Sequence, residues 1–206
     1  MKWKNIDVLF MTKKEIEEDC YRWYEEIKES YIPELIVFIA KSGFLFARPL
    51  SEYFGCKMVD VVASRLDNGQ KDRIKKLIPR IPKHLLAFLL IHRVTKARYH
   101  EDSMRIVTGS PRLNSIDFHK YNKILIVDDS VDTGWSLIKV MEYLDAHGAL
   151  GKYKTASYCA LRESNNRVTV DFVRYLDTIV ITATSRYSRE YKAFIDSYNE
   201  WKKSNL

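Results

Sequence analysis

K-I-L-I-V-D-D-S-V-D-T-G-W-S-L, residues Lys123 to Leu137, is an apolar run that stops at two adjacent carboxylates and passes into a tight loop. Ile124 to Val127 carry no polar interruption, which reads as a short buried strand of a parallel sheet. Asp128 and Asp129 then fall at its carboxyl end, where open α/β sheets hold their ligands. Ser130 to Gly134 turn the chain, and Leu137, Val140, Met141 and Leu144 follow at helical spacing up to Gly148, a residue suited to a left-handed helix end. Such a loop aims backbone N–H groups and the positive end of a helix dipole at one spot, and Thr133 and Ser136 add hydroxyl donors. A phosphate fits that spot. Two carboxylates side by side repel each other, so a merely structural turn has no use for the pair.

Working outward, Leu35 to Ala40 is a second uninterrupted apolar strand that ends abruptly, at Lys41-Ser42-Gly43. Phe44 to Gly55 reads as the returning helix, with Pro49 predicting a late start or a kink. Upstream, Ile6 to Phe10 is a strand, and Thr12-Lys13-Lys14-Glu15 has capping-box spacing. The helix it opens carries Ile16, Cys20, Trp23, Tyr24, Ile27 and Tyr31 on one face, aromatics that read as core packing. Lys57 to Ala63 is a third strand; Thr155 to Leu161 and Ile179 to Ala183 are later ones. Tyr191, Phe194, Ile195, Tyr198 and Trp201 mark an amphipathic terminal helix.

At 206 residues, 46% hydrophobic and 30% charged, the chain suits one globular domain spanning 1–206 with its own core. The first residues lack the apolar stretch of a secretory signal, and no run approaches the roughly 20 apolar residues of a membrane span. Three scattered cysteines, Cys20, Cys56 and Cys159, indicate neither a disulfide framework nor a zinc site, and a reducing cytoplasm is expected. The net charge of +7 suits a polyanionic partner, either a small molecule, a nucleic acid or a membrane surface.

On these residues the chain resembles the type I phosphoribosyltransferases, whose signature is four apolar residues, two acids and a phosphate loop ending in D-T-G. The resemblance is nearest to the purine-salvage branch, the xanthine-guanine and hypoxanthine-guanine enzymes. It implies that Asp128 and Asp129 hold the ribose hydroxyls of phosphoribosyl pyrophosphate. It further implies that Ser130, Asp132, Thr133, Gly134, Trp135 and Ser136 wrap the 5′-phosphate, and that Asp132 is the catalytic acid/base. Lys41, Ser42 and Gly43 resemble the pyrophosphate loop, which in the family often follows a cis peptide, here Ala40–Lys41; Ser42 replaces the usual glycine. In the purine branch a lysine after one late strand and an aromatic near the start of the next read the base. Aligning the strands puts Leu161 and Ile179 at those places, with Arg162 beside the first, so both purine-reading positions are altered. Ile179 and Val180 remain as base contacts, with Tyr187 near in sequence.

The family pattern breaks between Ser64 and Tyr121, where members usually carry a short closing loop and this chain has an atypical insertion at about 64–121. It contains the turn Leu66-Asp67-Asn68-Gly69, a basic segment from Lys71 to Arg80, and an apolar helix, Leu85 to Ile91, rimmed by Lys83, His84, His92, Arg93, Lys96 and Arg98. His84, His92 and His100 lack the spacing of a helical metal pair. The expected architecture is a doubly wound α/β domain with a mainly parallel sheet, right-handed crossovers, a small hood from the terminal segments and a helical insertion. The expected activity is transfer of ribose 5-phosphate from phosphoribosyl pyrophosphate to a free nitrogenous base, a purine among the candidates, with release of pyrophosphate. Mg2+ is the implied cofactor, held by substrate oxygens with no direct protein metal site. The expected assembly is a homo-oligomer through the insertion. The alternative is a non-catalytic regulator of the same fold that senses phosphoribosyl pyrophosphate and binds nucleic acid through the insertion; for the enzyme, nucleic acid is not an expected partner.

Overall fold

The computed structural model describes residues 6–65, 87, 89, 91, 105–162, 167–186 and 188–204. Its elements in order are β1 (Asp7–Phe10), α1 (Lys13–Lys28), β2 (Leu35–Ala40), α2 (Phe44–Phe54), β3 (Lys57–Arg65), β4 (Arg105–Gly109), α3 (Pro111–Asn114), a 3-10 turn (Phe118–Lys120), β5 (Ile124–Val131), α4 (Trp135–Leu144), a π turn (Asp145–Ala149), β6 (Tyr153–Ala160), β7 (Phe172–Leu176), β8 (Thr178–Ile181) and α5 (Tyr191–Ser204).

α1 begins as its capping box requires: the Glu15 N–H donates to Thr12 Oγ1 at 3.3 Å and the Thr12 N–H to Glu15 Oε2 at 2.7 Å. Ile16, Cys20, Trp23 and Ile27 then bury one stripe, as the spacing predicts, but Asp19 is buried in the same stripe. α2 starts at Phe44 without delay, runs on through Pro49 and ends at Gly55, whose φ is +64°. Burial of Phe44, Phe46 and Leu50 holds it together although a mid-helix proline costs about 3 kcal/mol. α4 is shorter than the apolar spacing suggests, because the last turn before Ala149 is a π turn in which Gly148 takes φ +91°.

Six strands form the main sheet in the order β4-β3-β2-β5-β6-β7. β3, β2, β5, β6 and β7 are parallel, and β4 is antiparallel to β3. Alternate residues of β5 serve different cores: Leu125 and Val127 pack with α1, α2 and α5, whereas Ile124 and Ile126 pack with Leu137, Val140 and Leu144 of α4. A sheet covered on both faces explains why its central strands read as continuous apolar runs. β1 and β8 pair with each other as a separate two-stranded parallel sheet built from the two ends of the chain, the expected hood.

The expected insertion lies largely outside the described residues, including the turn at 66–69, the basic segment at 71–80, the three histidines and most of Lys83 to Arg98; residues 87, 89 and 91 are helical. Its last part, residues 105–121, is integral to the domain: β4 extends the sheet, and Ser110 caps α3 while donating to the Asp60 carbonyl at 2.9 Å. β7, which the apolar patterning does not mark, is the opposite edge.

Candidate active site

The sheet winds outward in both directions from β2 and β5, which are neighbours in register Leu35↔Ile124 to Phe38↔Val127. The crevice outside the carboxyl ends of two such strands is where doubly wound sheets bind ligands. A cleft of about 220 Å³ opens there. One wall is Ile39, Ala40 and Ser42, from the end of β2 and its loop; Ala63 of β3 adds a corner; Asp128 to Gly134 with Ser136 and Leu137 form the rest.

The acids at the end of β5 and in the loop after it step outward in exposure. Asp128 is 5% exposed, Asp129 half-buried and Asp132 exposed. The Asp129 N–H donates to Asp128 Oδ1 at 2.9 Å, so the first carboxylate braces the backbone of the second. Burial pushes the Asp129 carboxyl up to about 6; the bond with Asp128 opposes this and the negative charge of Asp132 adds to it. Behind the pair, the Cys159 thiol donates to the Asp129 carbonyl at 3.2 Å, a support from β6 that no sequence pattern marks.

Both helices bordering the cleft begin without a side-chain cap. Gly43 precedes α2, whose Phe44, Leu45 and Phe46 N–H groups donate to the Lys41, Ser42 and Gly43 carbonyls at 3.1, 3.2 and 3.2 Å, whereas Gly134 precedes α4 and leaves the start of that helix directed at its loop. Gly134 is needed at its position, with φ +78° and a Val168 methyl 2.6 Å from where a Cβ would stand. Thr133 is buried in the loop and Ser136 half-buried in the first turn of α4, both on the cleft wall.

The loop after β2 holds the cis peptide Ala40–Lys41. Ser42 lines the cleft and Lys41 is exposed beside it. Gly43 lies behind, and its N–H donates to the Ile39 carbonyl at 3.0 Å, so it is consumed within the turn; a Cβ there would meet the Ile39 and Val127 carbonyls at 2.7 and 2.9 Å. Gly43 is therefore what lets the loop approach β5. Trp135 opens α4 but is not on the cleft wall; the Arg167 guanidinium covers its ring at 5.2 Å, a contact that periodicity could not reveal.

Ile179 and Val180 stand in β8 opposite Val8 and Leu9 and do not line the cleft; Val180 packs against the core, and its backbone meets the Cys159 thiol behind Asp129. Arg162 at the end of β6 is tied to Asp177, its N–H donating to Oδ1 at 2.7 Å and its Nε lying 3.2 Å from Oδ2. Tyr187 lies outside the described residues. Among the described residues no helix is long and apolar enough to cross a membrane.

A family model described as the phosphoribosyl transferase domain matches residues 11–192, and the chain belongs to that family. Solved structures of the same fold include the purine phosphoribosyltransferase of Pyrococcus horikoshii Ot3, to which this chain is similar at TM-score 0.58 and 18% identity over 85% of this chain and 92% of that one. The xanthine-guanine-hypoxanthine phosphoribosyltransferase of Helicobacter pylori is similar at TM-score 0.56 and 14% identity, over 93% and 99% of the chains. A hypothetical protein from Neisseria gonorrhoeae with bound ppGpp is similar at TM-score 0.58 and 12% identity, over 98% and 99%. No curated protein matches the chain.

Proposed function

We propose that the protein transfers ribose 5-phosphate from phosphoribosyl pyrophosphate to a nitrogenous base, with a purine as the first candidate. The observation that carries this reading is that Asp128 and Asp129 and the uncapped start of α4 open into one cleft at the switch point of the sheet. A ribose phosphate needs that combination, hydroxyl acceptors a few ångströms from an oxyanion site.

In this reading Asp128 and Asp129 accept hydrogen bonds from the two ribose hydroxyls, and Thr133, Gly134 and Ser136 present donors to the 5′-phosphate. Ser42 and Lys41 face the pyrophosphate from the other loop, holding the leaving group and its negative charge. As the bond from C1′ to the pyrophosphate oxygen breaks and the bond to the base nitrogen forms, Asp132, exposed at the mouth, takes the proton that the nitrogen gives up. Mg2+ fits the donor set: the Asp128 and Asp129 carboxylates are hard oxygen ligands, and among the described residues the cleft wall carries no Lys or Arg to balance them. When bound it would neutralise the pyrophosphate, with Asp128 and Asp129 as the nearest protein ligands and the substrate supplying most of its oxygens.

A second reading has one observation in its favour: neither Ile179 nor Val180 lines the cleft, so the base has no evident reader among the described residues. It is a non-catalytic member of the fold that senses phosphoribosyl pyrophosphate. Pyrophosphate release from phosphoribosyl pyrophosphate with Mg2+ and a panel of free bases separates the two. Release with at least one base supports the enzyme. Tight binding of phosphoribosyl pyrophosphate, or of the ppGpp bound by the Neisseria neighbour, with no release across the panel supports the sensor.

A further inference from the structure

The cleft has an electrostatic deficit for the ligand proposed above. Among the described residues its wall contains Asp128, Asp129 and Asp132 and no Lys or Arg. A sugar phosphate entering it meets like charge from three carboxylates. The start of α4 offsets this by about half an elementary charge. Lys41 stands on the loop after β2, beside Ser42, and so serves the opposite side of the cleft.

The segment leading into β7 brings a second cation to the α4 side. Val168 is buried and lies against Gly134, and the Arg167 Cβ is 3.9 Å from where a Cβ at Gly134 would stand. From that anchorage the Arg167 guanidinium lies over the Trp135 ring. Trp135 is the first residue of α4, so the fork of donors sits at the helix start that the loop presents to an anion. Arg167 is exposed, and no carboxylate among the described residues lies within ion-pair distance of it. The Trp135 Nε1 donor is buried and has no acceptor among them either. The pair thus brings donors and no acceptor to this end of the loop. A guanidinium resting on an aromatic face has fewer rotamers to lose when it engages an oxyanion, and its planar fork can bind two phosphate oxygens at once.

We propose that Arg167 is a phosphate-binding residue of this site: stacked on Trp135, it closes on the 5′-phosphomonoester held at the start of α4 and supplies the cation that the cleft wall lacks. The inference rests on the sugar-phosphate reading above and divides the charges of the substrate between two residues, Arg167 for the phosphomonoester and Lys41 for the pyrophosphate.

The test is calorimetric titration of ribose 5-phosphate, and separately of inorganic pyrophosphate, into the full chain and its Arg167→Gln and Arg167→Lys variants, with thermal melting in parallel. Arg167→Gln is expected to weaken ribose 5-phosphate by about tenfold to a hundredfold, the usual worth of a hydrogen bond to a charged group. Pyrophosphate affinity and the melting temperature should stay at the parent values. Arg167→Lys, which keeps charge but not the fork, should recover part of the loss, and the salt dependence of ribose 5-phosphate binding should be shallower in Arg167→Gln than in the parent. Binding of ribose 5-phosphate by Arg167→Gln within twofold of the parent overturns the inference and leaves the sugar-phosphate reading standing. Equal weakening of both ligands with a lowered melting temperature also overturns it, since Arg167 is then a structural brace. A parent that binds neither ribose 5-phosphate nor phosphoribosyl pyrophosphate overturns both the inference and the reading beneath it.

Discussion

Asp19 and Asp129 are two acids in one small domain, shielded from water to different degrees and moved in opposite directions by their surroundings. Asp19 is 4% exposed, between α1 and the sheet. Burial alone would raise its carboxyl. Arg174 of β7 outweighs that by donating from Nε at 3.0 Å and from Nη2 at 2.7 Å, and the Tyr158 hydroxyl donates at 2.8 Å, so the group is held below its ordinary range. Arg174 also bonds Glu26, and Tyr158 stacks on Phe46 with ring centroids 4.2 Å apart. At Asp129 burial is again the largest effect, but among the described residues no cation lines the cleft, and the charge of Asp132 pushes the same way. The pairing of Asp19 is spent within the fold, whereas Asp129 keeps its capacity to accept for a ligand. A buried acid without a cation is costly, and such residues concentrate at functional sites.

The largest effect should come from the cleft. Asp132→Asn is expected to reduce turnover by about 10² to 10⁴-fold while binding of phosphoribosyl pyrophosphate persists, measured by pyrophosphate release and calorimetry. Parent-like turnover would reduce Asp132 to a loop former. On the structural side, Arg174→Leu leaves Asp19 buried without its cation and should destabilise the domain by about 3 to 5 kcal/mol in denaturant unfolding. A loss under about 1 kcal/mol would mean that the Asp19 cluster does not pin β7 to α1.

The two acids should also separate by pH. The Asp129 carboxyl is raised in the folded state, so its contribution to stability is fully present below the ordinary carboxylate value and is lost as pH rises through about 6. Between pH 5 and 8 this should lower stability by about 1 kcal/mol, and Asp129→Asn should abolish the decline. The Asp19 carboxyl is lowered, so its contribution is present above the ordinary value and disappears only in acid, as pH falls through its depressed folded value. Unfolding curves of parent and Asp129→Asn across that pH range that decline in parallel would break the contrast. The smallest effect belongs to a half-buried acid whose cation is exposed. Arg162 is 74% exposed in its ion pair with Asp177, and Arg162→Gln should change stability by less than about 1 kcal/mol.

Much of the cleft was legible because its parts are local. The run Ile124 to Ser136 carries strand, acid pair, loop and helix start within one stretch, and the capping box at Thr12 spans four residues. The base-reading positions were not legible in the same way. Ile179 and Val180 were reached only by aligning strands, and β8 pairs with β1 in the hood rather than with the main sheet, so its position rests on contacts distant in sequence. β7 was missed because an edge strand with half-buried residues, Phe172 to Leu176, has neither a continuous apolar run nor a clean alternation.

The sequence by itself determined the alternation of strands and helices, the acid pair at the end of β5 and the small-residue loop after it, since period and spacing dictate which residues share a face and where a strand must stop. The tertiary structure alone decided that β2 lies beside β5 and so brings Lys41-Ser42-Gly43 to the same cleft as Asp128. It alone set Asp19 against Arg174, 155 residues away, and laid Arg167 over Trp135. The physical reason is that an apolar face states that something must cover it without stating what does; strand order makes that choice, and the charge environment of each acid follows from it.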